Sequence, residues 1–325
     1  LRIARAGRAQ SHVAGCRWAA ALSLLLPFVC ARAEGVSGAS SAGAEEPLPV
    51  REIAAGVYLH AGRHEPLTSP RREDAANIGF IVGRRCVAVI DSGGSVSMGR
   101  RLLAAIRAHT PLPVCYVINT HVHYDHILGN AAFLDQGSEF VGHAGLAAAV
   151  AGSEEFFRRE FAAELGRQGV VAPTRLVERQ LLLDLGGRKL RLQSWSEAHT
   201  SVDLTVLDME TGTLWTGDLL FRERLPVIDS SLKGWLAAMA ALERLPAVLI
   251  VPGHGPPAGQ WKEAAADQTR YLRALLEETR AMVARGAFLE EALDTVARQE
   301  EGRWTLFDQG HRRNVSRAFL ELEWE

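Results

Sequence analysis

Between Asn119 and His126 the chain reads Asn-Thr-His-Val-His-Tyr-Asp-His, which places four metal-competent side chains, His121, His123, Asp125 and His126, within six residues. They follow directly on Val114–Asn119, an apolar run that reads as a buried strand. Imidazoles two apart at a strand end can turn the same way. The carboxylate and imidazole that follow then reach a second position a few ångströms off. Neutral imidazole nitrogen and carboxylate oxygen are donors that zinc accepts at about 2.0–2.2 Å. Three histidines around one aspartate form a dense cluster for a chain with 11 histidines.

One loop rarely closes two metal sites, so further ligands are expected far along the chain. Three positions stand at strand ends or in turns. His199 precedes the strand-like run Leu204–Asp208, Asp218 follows Thr213–Thr216, and His254 follows Ala247–Val251. Glycines beside Asp218 and His254 let the backbone turn tightly. His60, His64, His109, His143 and His311 read as structural or surface residues, His60 and His64 being the two that an N-terminal loop would carry toward a site. Arg222, Glu223, Arg224 and Asp229 follow a ligand position and would either line a cleft or pair within a solvated loop. There is no G-x-S-x-G elbow, no Walker phosphate loop and no cysteine spacing of a zinc site.

The elements that must hold these residues alternate. Strand-like runs are read at Gly56–His60, Ile78–Val82, Cys86–Ile90, Val114–Asn119, Phe140–Val141, Leu176–Leu183, Lys189–Ser194, Leu204–Asp208, Thr213–Thr216 and Ala247–Val251. Gly83-Arg84 and Glu210-Thr211-Gly212 mark hairpin turns. Helical spacing runs over Val96–His109, stopped by Pro111 and Pro113, and over Leu232–Leu245, with Ser231 as N-cap. Leu146–Leu165 carries Gly152-Ser153 and predicts two helices or a lid-like insertion. From Trp261 onward the pattern is helical, with breaks expected near Gly286 and Gly310. Strands central in each half with helices flanking them predict an α/β fold of two sheets between helices rather than a barrel.

The whole chain has 325 residues, 47% hydrophobic and 23% charged, with a formal net charge of −2, which argues against a basic nucleic-acid binder. Its 36 basic residues include only three lysines, Lys189, Lys233 and Lys262, a bias of composition more than of function. Residues 1–33 read as an export signal: Arg2, Arg5, Arg8 and Arg17, then the 13-residue apolar run Trp18–Cys30, then Ala31-Arg32-Ala33. The run is too short to span a membrane, and no stable insertion is expected after cleavage. Cleavage near Ala33 removes five arginines and leaves a formal charge of −7. Residues 34–50 read as a flexible Gly/Ala/Ser-rich linker and 51–325 as the folded domain. Cys86 and Cys115 remain, both in apolar runs. That setting favours two buried thiols, and an oxidising compartment permits a bridge.

The order HxHxDH, then His199, then Asp218 after a glycine, then Gly253-His254-Gly255, resembles the metallo-β-lactamase-fold hydrolase superfamily over roughly residues 50–260. The resemblance implies an αββα sandwich with a dinuclear site on one edge. It implies one ion held by His121, His123 and His199, a second by Asp125, His126 and His254, and Asp218 bridging both. Two zinc ions are expected, with iron or manganese as alternatives. Strand ends at Asp91, Asn119, Asp218 and His254 echo each other, which fits the superfamily's pseudo-twofold architecture and places Asp91 behind the ligands. The stretch Gly217–Trp235, with the export signal, looks like the SoxH-related quinoprotein relay system zinc metallohydrolases, which implies a periplasmic enzyme acting on a small molecule beside a PQQ-dependent dehydrogenase. Two cations sharing a water would lower its pKa to roughly 7. Asp125 would orient the resulting hydroxide while also ligating. Hydrolysis of an ester, lactone or thioester follows. A β-lactamase, a glyoxalase II-like thioesterase, a mononuclear iron persulfide dioxygenase and a non-catalytic metal-binding relay component are the alternatives. An aspartate at 218 argues against the lactamase.

Overall fold

The computed structural model describes residues 45–325; the export segment and the first part of the expected linker lie outside the described residues. Among the described residues twelve strands form two sheets. The first contains β1 (Arg51–Ala54), β2 (Val57–His60), β3 (Ile78–Val82), β4 (Val87–Ile90), β5 (Val114–Ile118), β6 (Glu139–His143) and β7 (Arg175–Val177), side by side in chain order. The second runs β12-β11-β10-β9-β8, with β8 (Gln180–Asp184), β9 (Lys189–Trp195), β10 (Asp203–Asp208), β11 (Thr213–Trp215) and β12 (Leu249–Val251). Both are mixed: β4 and β5 pair in parallel in the first sheet, as do β11 and β12 in the second, while the hairpins are antiparallel. The expected hairpin turns at Gly83-Arg84 and at 210–212 are present.

Alternation of side chains along the strands builds the layers. In β4, Ala88 and Ile90 face the second sheet, packing with Ile118, Leu204, Val206 and Val251, while Val87 and Val89 pack under α1 (Val96–His109). Leu207 of β10 faces the other way, into a core shared with α5 (Leu232–Leu242), the short α6 (Trp261–Ala264) and α7 (Ala266–Ala284). Three apolar layers therefore separate helix, sheet, sheet and helix, the αββα sandwich expected from the sequence. Ser231 caps α5 as expected, accepting from the Gly234 amide, and Ser95, not singled out from the sequence, does the same for α1 by accepting from the Met98 amide.

Some expectations are corrected. Leu176–Leu183 is not one strand. The polar pair Glu178-Arg179 ends β7, and the chain crosses to the other sheet as β8. The 146–165 segment forms two helices, α3 (Leu146–Glu160) and α4 (Ala162–Leu165), but they part at Phe161 and not at Gly152. Gly310 does not break the terminal helix α9 (Phe307–Leu322). It lies buried within it, and a Cβ there would stand 3.1 Å from Leu225. The interruption falls earlier, between α8 (Leu289–Thr295) and α9, where Ala297 and Leu306 take left-handed backbone angles. Leu48, inside the segment read as linker, is buried against α1, with its amide donating to the Arg101 carbonyl. Cys86 and Cys115 are joined by a disulfide rather than left as thiols. β4 and β5 are neighbours, so their Cα atoms stand 5.7 Å apart, within bridging range. Among the described residues no helix is long and apolar enough to cross a membrane.

Candidate metal centre

The carboxyl ends of the two parallel strand pairs meet at one edge of the sandwich. Asp91 follows β4, the 119–126 loop follows β5 and opens the short helix α2 (Tyr124–Ile127), Asp218 follows β11, and His254 follows β12. His199 enters from the turn between β9 and β10. All seven expected ligand positions come together. Ligand atoms of His121, His123, His199 and Asp218 form one group, and those of Asp125, His126 and His254 another, each within 4.8 Å of one another. Asp218 Oδ2 lies 3.6 Å from His121 Nε2, 3.5 Å from His199 Nε2 and 3.3 Å from His254 Nε2, while its Oδ1 lies 3.1 Å from His126 Nε2. It thus stands between the two groups. This crowding needs Gly253, because a Cβ there would sit 1.9 Å from Asp218 Oδ1.

Hydrogen bonds behind the cluster fix each imidazole's tautomer. His121 Nδ1 faces the Thr120 hydroxyl at 3.0 Å. That hydroxyl donates to Asp91 Oδ2, so it accepts from the imidazole. His126 Nδ1 donates to Asp91 Oδ2 at 2.7 Å, His199 Nδ1 to the Val227 carbonyl at 2.7 Å, and His254 Nδ1 to the Ala75 carbonyl at 2.8 Å. His123 is reversed: its Nε2 donates to Asp229 Oδ2 at 2.7 Å. Every outer nitrogen carries its proton toward an acceptor, so every inner nitrogen presents a lone pair to the centre. The inner nitrogens of His121 and His199 lie 3.0 and 3.1 Å from that of His123. Nε2 of His126 and Oδ1 of Asp218 are buried with no hydrogen bond of proper geometry. Converging lone pairs and an orphaned carboxylate oxygen, backed by oriented outer partners, fit a cation.

The charges divide the imidazoles: His121 and His199 are held neutral, while the surrounding carboxylates favour a proton on His123 and His126 against the burial that opposes it. Burial disfavours the Asp218 carboxylate, but His254, His126 and His121 outweigh it and hold Asp218 well below the usual carboxylate range. Burial, then the neighbouring His126, holds His121 well below the ordinary imidazole value. Burial draws His199 down to about 4. His126 goes the other way. Burial opposes its charge, yet the carboxylates of Asp218, Asp91 and Asp125 lift it well above the usual value.

Asp91 takes the place expected of it. It accepts from the Thr120 amide and hydroxyl and from His126, with left-handed backbone angles (φ 55°) that turn the chain back under the ligand loop. Asp229, read only as a cleft or loop residue, orients His123 and is itself paired with Arg313 of α9. Asn77 was not singled out from the sequence. Its side-chain amide donates to the Pro252 and Gly255 carbonyls and so ties the His254 turn to the first sheet. An asparagine at a strand entry carries no local signal of that role. The other histidines among the described residues stay out of both groups. His60 is held by Pro49 and Asp74, His64 by Thr305, His109 by the Ala105 carbonyl, His143 contacts the Gly145 amide, and His311 lies between Tyr271 and the Val296 carbonyl. Arg222 binds the Pro256 and Pro257 carbonyls away from the cluster, and Glu223 is exposed.

The cluster forms the floor of a cavity of about 530 Å³. Phe156 and Phe157 of α3, Leu67, Leu225 and Leu306 supply apolar walls, and Arg224 and Arg313 also line it.

Residues 71–254, more than half of the chain, match the family model of the metallo-beta-lactamase superfamily, and the chain belongs to that superfamily. No curated protein matches its sequence. Among solved structures it is similar to a metallo-beta-lactamase from Pontibacter korlensis (22% identity, TM-score 0.58, covering 70% of this chain and 99% of that one). It is also similar to a metallo-beta-lactamase from Hirschia baltica (19%, 0.55, covering 70% and 98%). A stereoselective inverting sec-alkylsulfatase from Pseudomonas sp. matches at 18% identity and TM-score 0.65, covering 84% of this chain; the chain spans half the length of that enzyme. At these identities the likeness is one of fold.

Proposed function

We propose that this protein is an exported, dinuclear zinc-dependent hydrolase of ester, lactone, thioester or related bonds. The observation that carries the reading is the convergence of five imidazoles, each with its outer nitrogen on a hydrogen-bond partner, around Asp218 in two groups that could each hold an ion. His121, His123 and His199 would hold one ion, Asp125, His126 and His254 the other, with Asp218 between them. Metal bound by these residues would supply an activated water at neutral pH and a Lewis acid for the electrophile.

The chain's own residues supply the rest. Asp125, with Oδ2 3.5 Å from His254 Nε2, opens onto the cavity and would both ligate and orient the nucleophile. Asp91, Asp229 and the Val227 and Ala75 carbonyls hold the imidazoles in one tautomer, so no reorganisation is needed on substrate binding. Phe221, stacked on His254 at 5.0 Å, and the apolar walls give the floor an apolar surround. Export is supported by the basic, apolar and Ala-x-Ala order of residues 1–33 and by the Cys86–Cys115 bridge, which suits an oxidising compartment such as the periplasm. A place beside a PQQ-dependent quinoprotein dehydrogenase is proposed only from the resemblance of Gly217–Trp235 to the SoxH-related hydrolases.

With Asp218 among the ligands of both groups, less Lewis acidity would be available to stabilise a poor amine leaving group. Lactam hydrolysis should therefore be weak beside thioester, lactone and activated ester turnover. The alkylsulfatase among the structural neighbours adds a sulfate ester to the panel. The test compares kcat/KM on a chromogenic cephalosporin with these substrates, using zinc-loaded protein. A cephalosporin value of about 10⁶ M⁻¹s⁻¹ with the others negligible would overturn the reading.

A further inference from the structure

Two stretches far apart in the chain supply adjoining walls of the cavity. Leu67 comes from the loop 61–77 between β2 and β3, and Ser153, Phe156 and Phe157 come from α3. One side chain joins them. Arg72, in a single 3-10 turn (Arg72–Asp74), donates from Nε to Glu164 Oε1 at 2.8 Å and from Nη2 to the Glu160 carbonyl at 2.6 Å. Its Cζ lies 4.5 Å from the centre of the Phe161 ring, and its Nη1 turns back to the Leu67 carbonyl at 3.4 Å. Glu160 stands about one helical turn after Phe156. A single guanidinium therefore reaches the backbone of both walls.

The join has no substitute among the described residues. The other hydrogen bonds and ion pairs of residues 65–71 all stay between Arg63 and Asp74, inside the loop itself. Leu67 and Phe156 are 45% and 43% exposed, so packing alone does little to hold them together. On the far side, Glu164 Oε2 is buried with no hydrogen-bond partner, which leaves that carboxylate committed to Arg72. Only a planar, forked cation can donate to a carboxylate and a carbonyl while stacking on a ring. The join also has a firm base. Phe161 is buried and stacks at 4.5 Å on Tyr124, which sits between the ligand positions His123 and Asp125.

We propose that Arg72 is a positioning residue for substrate selection: it clasps the 61–77 loop to α3 and α4, closes the seam between Leu67 and the two phenylalanines, and limits the bulk of the group admitted beside the scissile bond. This rests on the reading of the cluster as a hydrolytic metal centre. Arg72 is not among the residues that line the cavity, so it acts through the walls and not on the substrate.

The test reads selectivity and backbone exchange in the same variants of the zinc-loaded protein. Selectivity is the ratio of kcat/KM for 4-nitrophenyl 3,3-diphenylpropanoate, whose bulk lies away from the carbonyl, to that for 4-nitrophenyl acetate. In Arg72→Met the ratio should rise about ten-fold, mainly through KM of the bulky ester. Amide hydrogen exchange over residues 146–166 should quicken about ten-fold in the same variant. Arg72→Lys should fall between wild type and Arg72→Met, which also covers a methionine variant that does not fold. The charge-swapped pair Arg72→Glu with Glu164→Arg should recover part of the wild-type ratio, whereas a mere loss of stability would not be reversed that way. Arg63→Met is the control, since Arg63 pairs with Asp74 and touches neither α3 nor α4. An unchanged ratio in Arg72→Met, with or without faster exchange, would overturn the proposal, as would an equal rise in Arg63→Met. If neither ester turns over in any variant, the hydrolytic reading fails. Calorimetry of the two product acids, 3,3-diphenylpropanoate against acetate, then decides the clasp by the same ratio.

Discussion

The two metal-competent groups are built alike at the centre and differently behind. The His121–His123–His199 group leans on three kinds of outer partner: the Thr120 hydroxyl, the Asp229 carboxylate and the Val227 carbonyl. Asp229 in turn is pinned by Arg313 and by Arg317, which donates to its carbonyl, both from α9, beyond the part of the chain matched to the superfamily. The Asp125–His126–His254 group leans on Asp91 and the Ala75 carbonyl, with Asn77 holding the turn, all within or beside the first sheet and its entry loop. One group therefore depends on a C-terminal helix and the other on the sandwich itself. Asp218 is the shared member.

That contrast can be broken at graded positions. Removal of the shared carboxylate in Asp218→Ala should be the most damaging change, leaving at most one ion per chain by elemental analysis and lowering turnover by more than about a hundred-fold. An unchanged ion count would contradict a bridging position. Asp91→Asn comes next, because Asp91 serves His126 directly and His121 through Thr120. Metal affinity measured by competition with a chelator should fall about 10–100-fold, with the Asp125–His126–His254 group losing more. Asp229→Asn should weaken the other group selectively and by less, toward about ten-fold, since its carboxylate is partly solvated and touches one imidazole. Equal losses at both groups in the two variants would erase the distinction drawn between them.

The smallest effect is one of pH on the metal-free protein. His199 titrates near 4 when folded and near 6.5 when unfolded, so the folded state resists its protonation. Its contribution to stability is complete above about pH 6.5 and is lost as pH falls from there toward 4. An NMR titration of the His199 ring should show it neutral at pH 5, and a ring protonated at pH 6 would contradict the burial assigned to it.

Much of the site was legible because metal ligands advertise themselves. His121, His123, Asp125 and His126 are crowded into one loop, and Asp218 and His254 sit beside glycines that only a close approach requires. The layers were legible through runs such as Val87–Ile90, buried on both faces. What stayed hidden depends on pairing between distant segments. Nothing local in Asp229 or Asn77 names His123 or the His254 turn as partner, because those contacts span more than a hundred residues. The Cys86–Cys115 bridge was open for the same reason, since it needs β4 and β5 to be neighbours in register. Gly310 misled because a glycine inside a helix can serve close packing as well as termination.

The central claim is that the seven converging side chains hold two ions. The direct measurement is metal content per chain of protein purified without added chelator and reloaded with zinc, read by mass spectrometry of the native protein. The account predicts a species carrying two ions that falls to one or none in Asp218→Ala. A wild type that saturates at a single ion, or binds none, would contradict it.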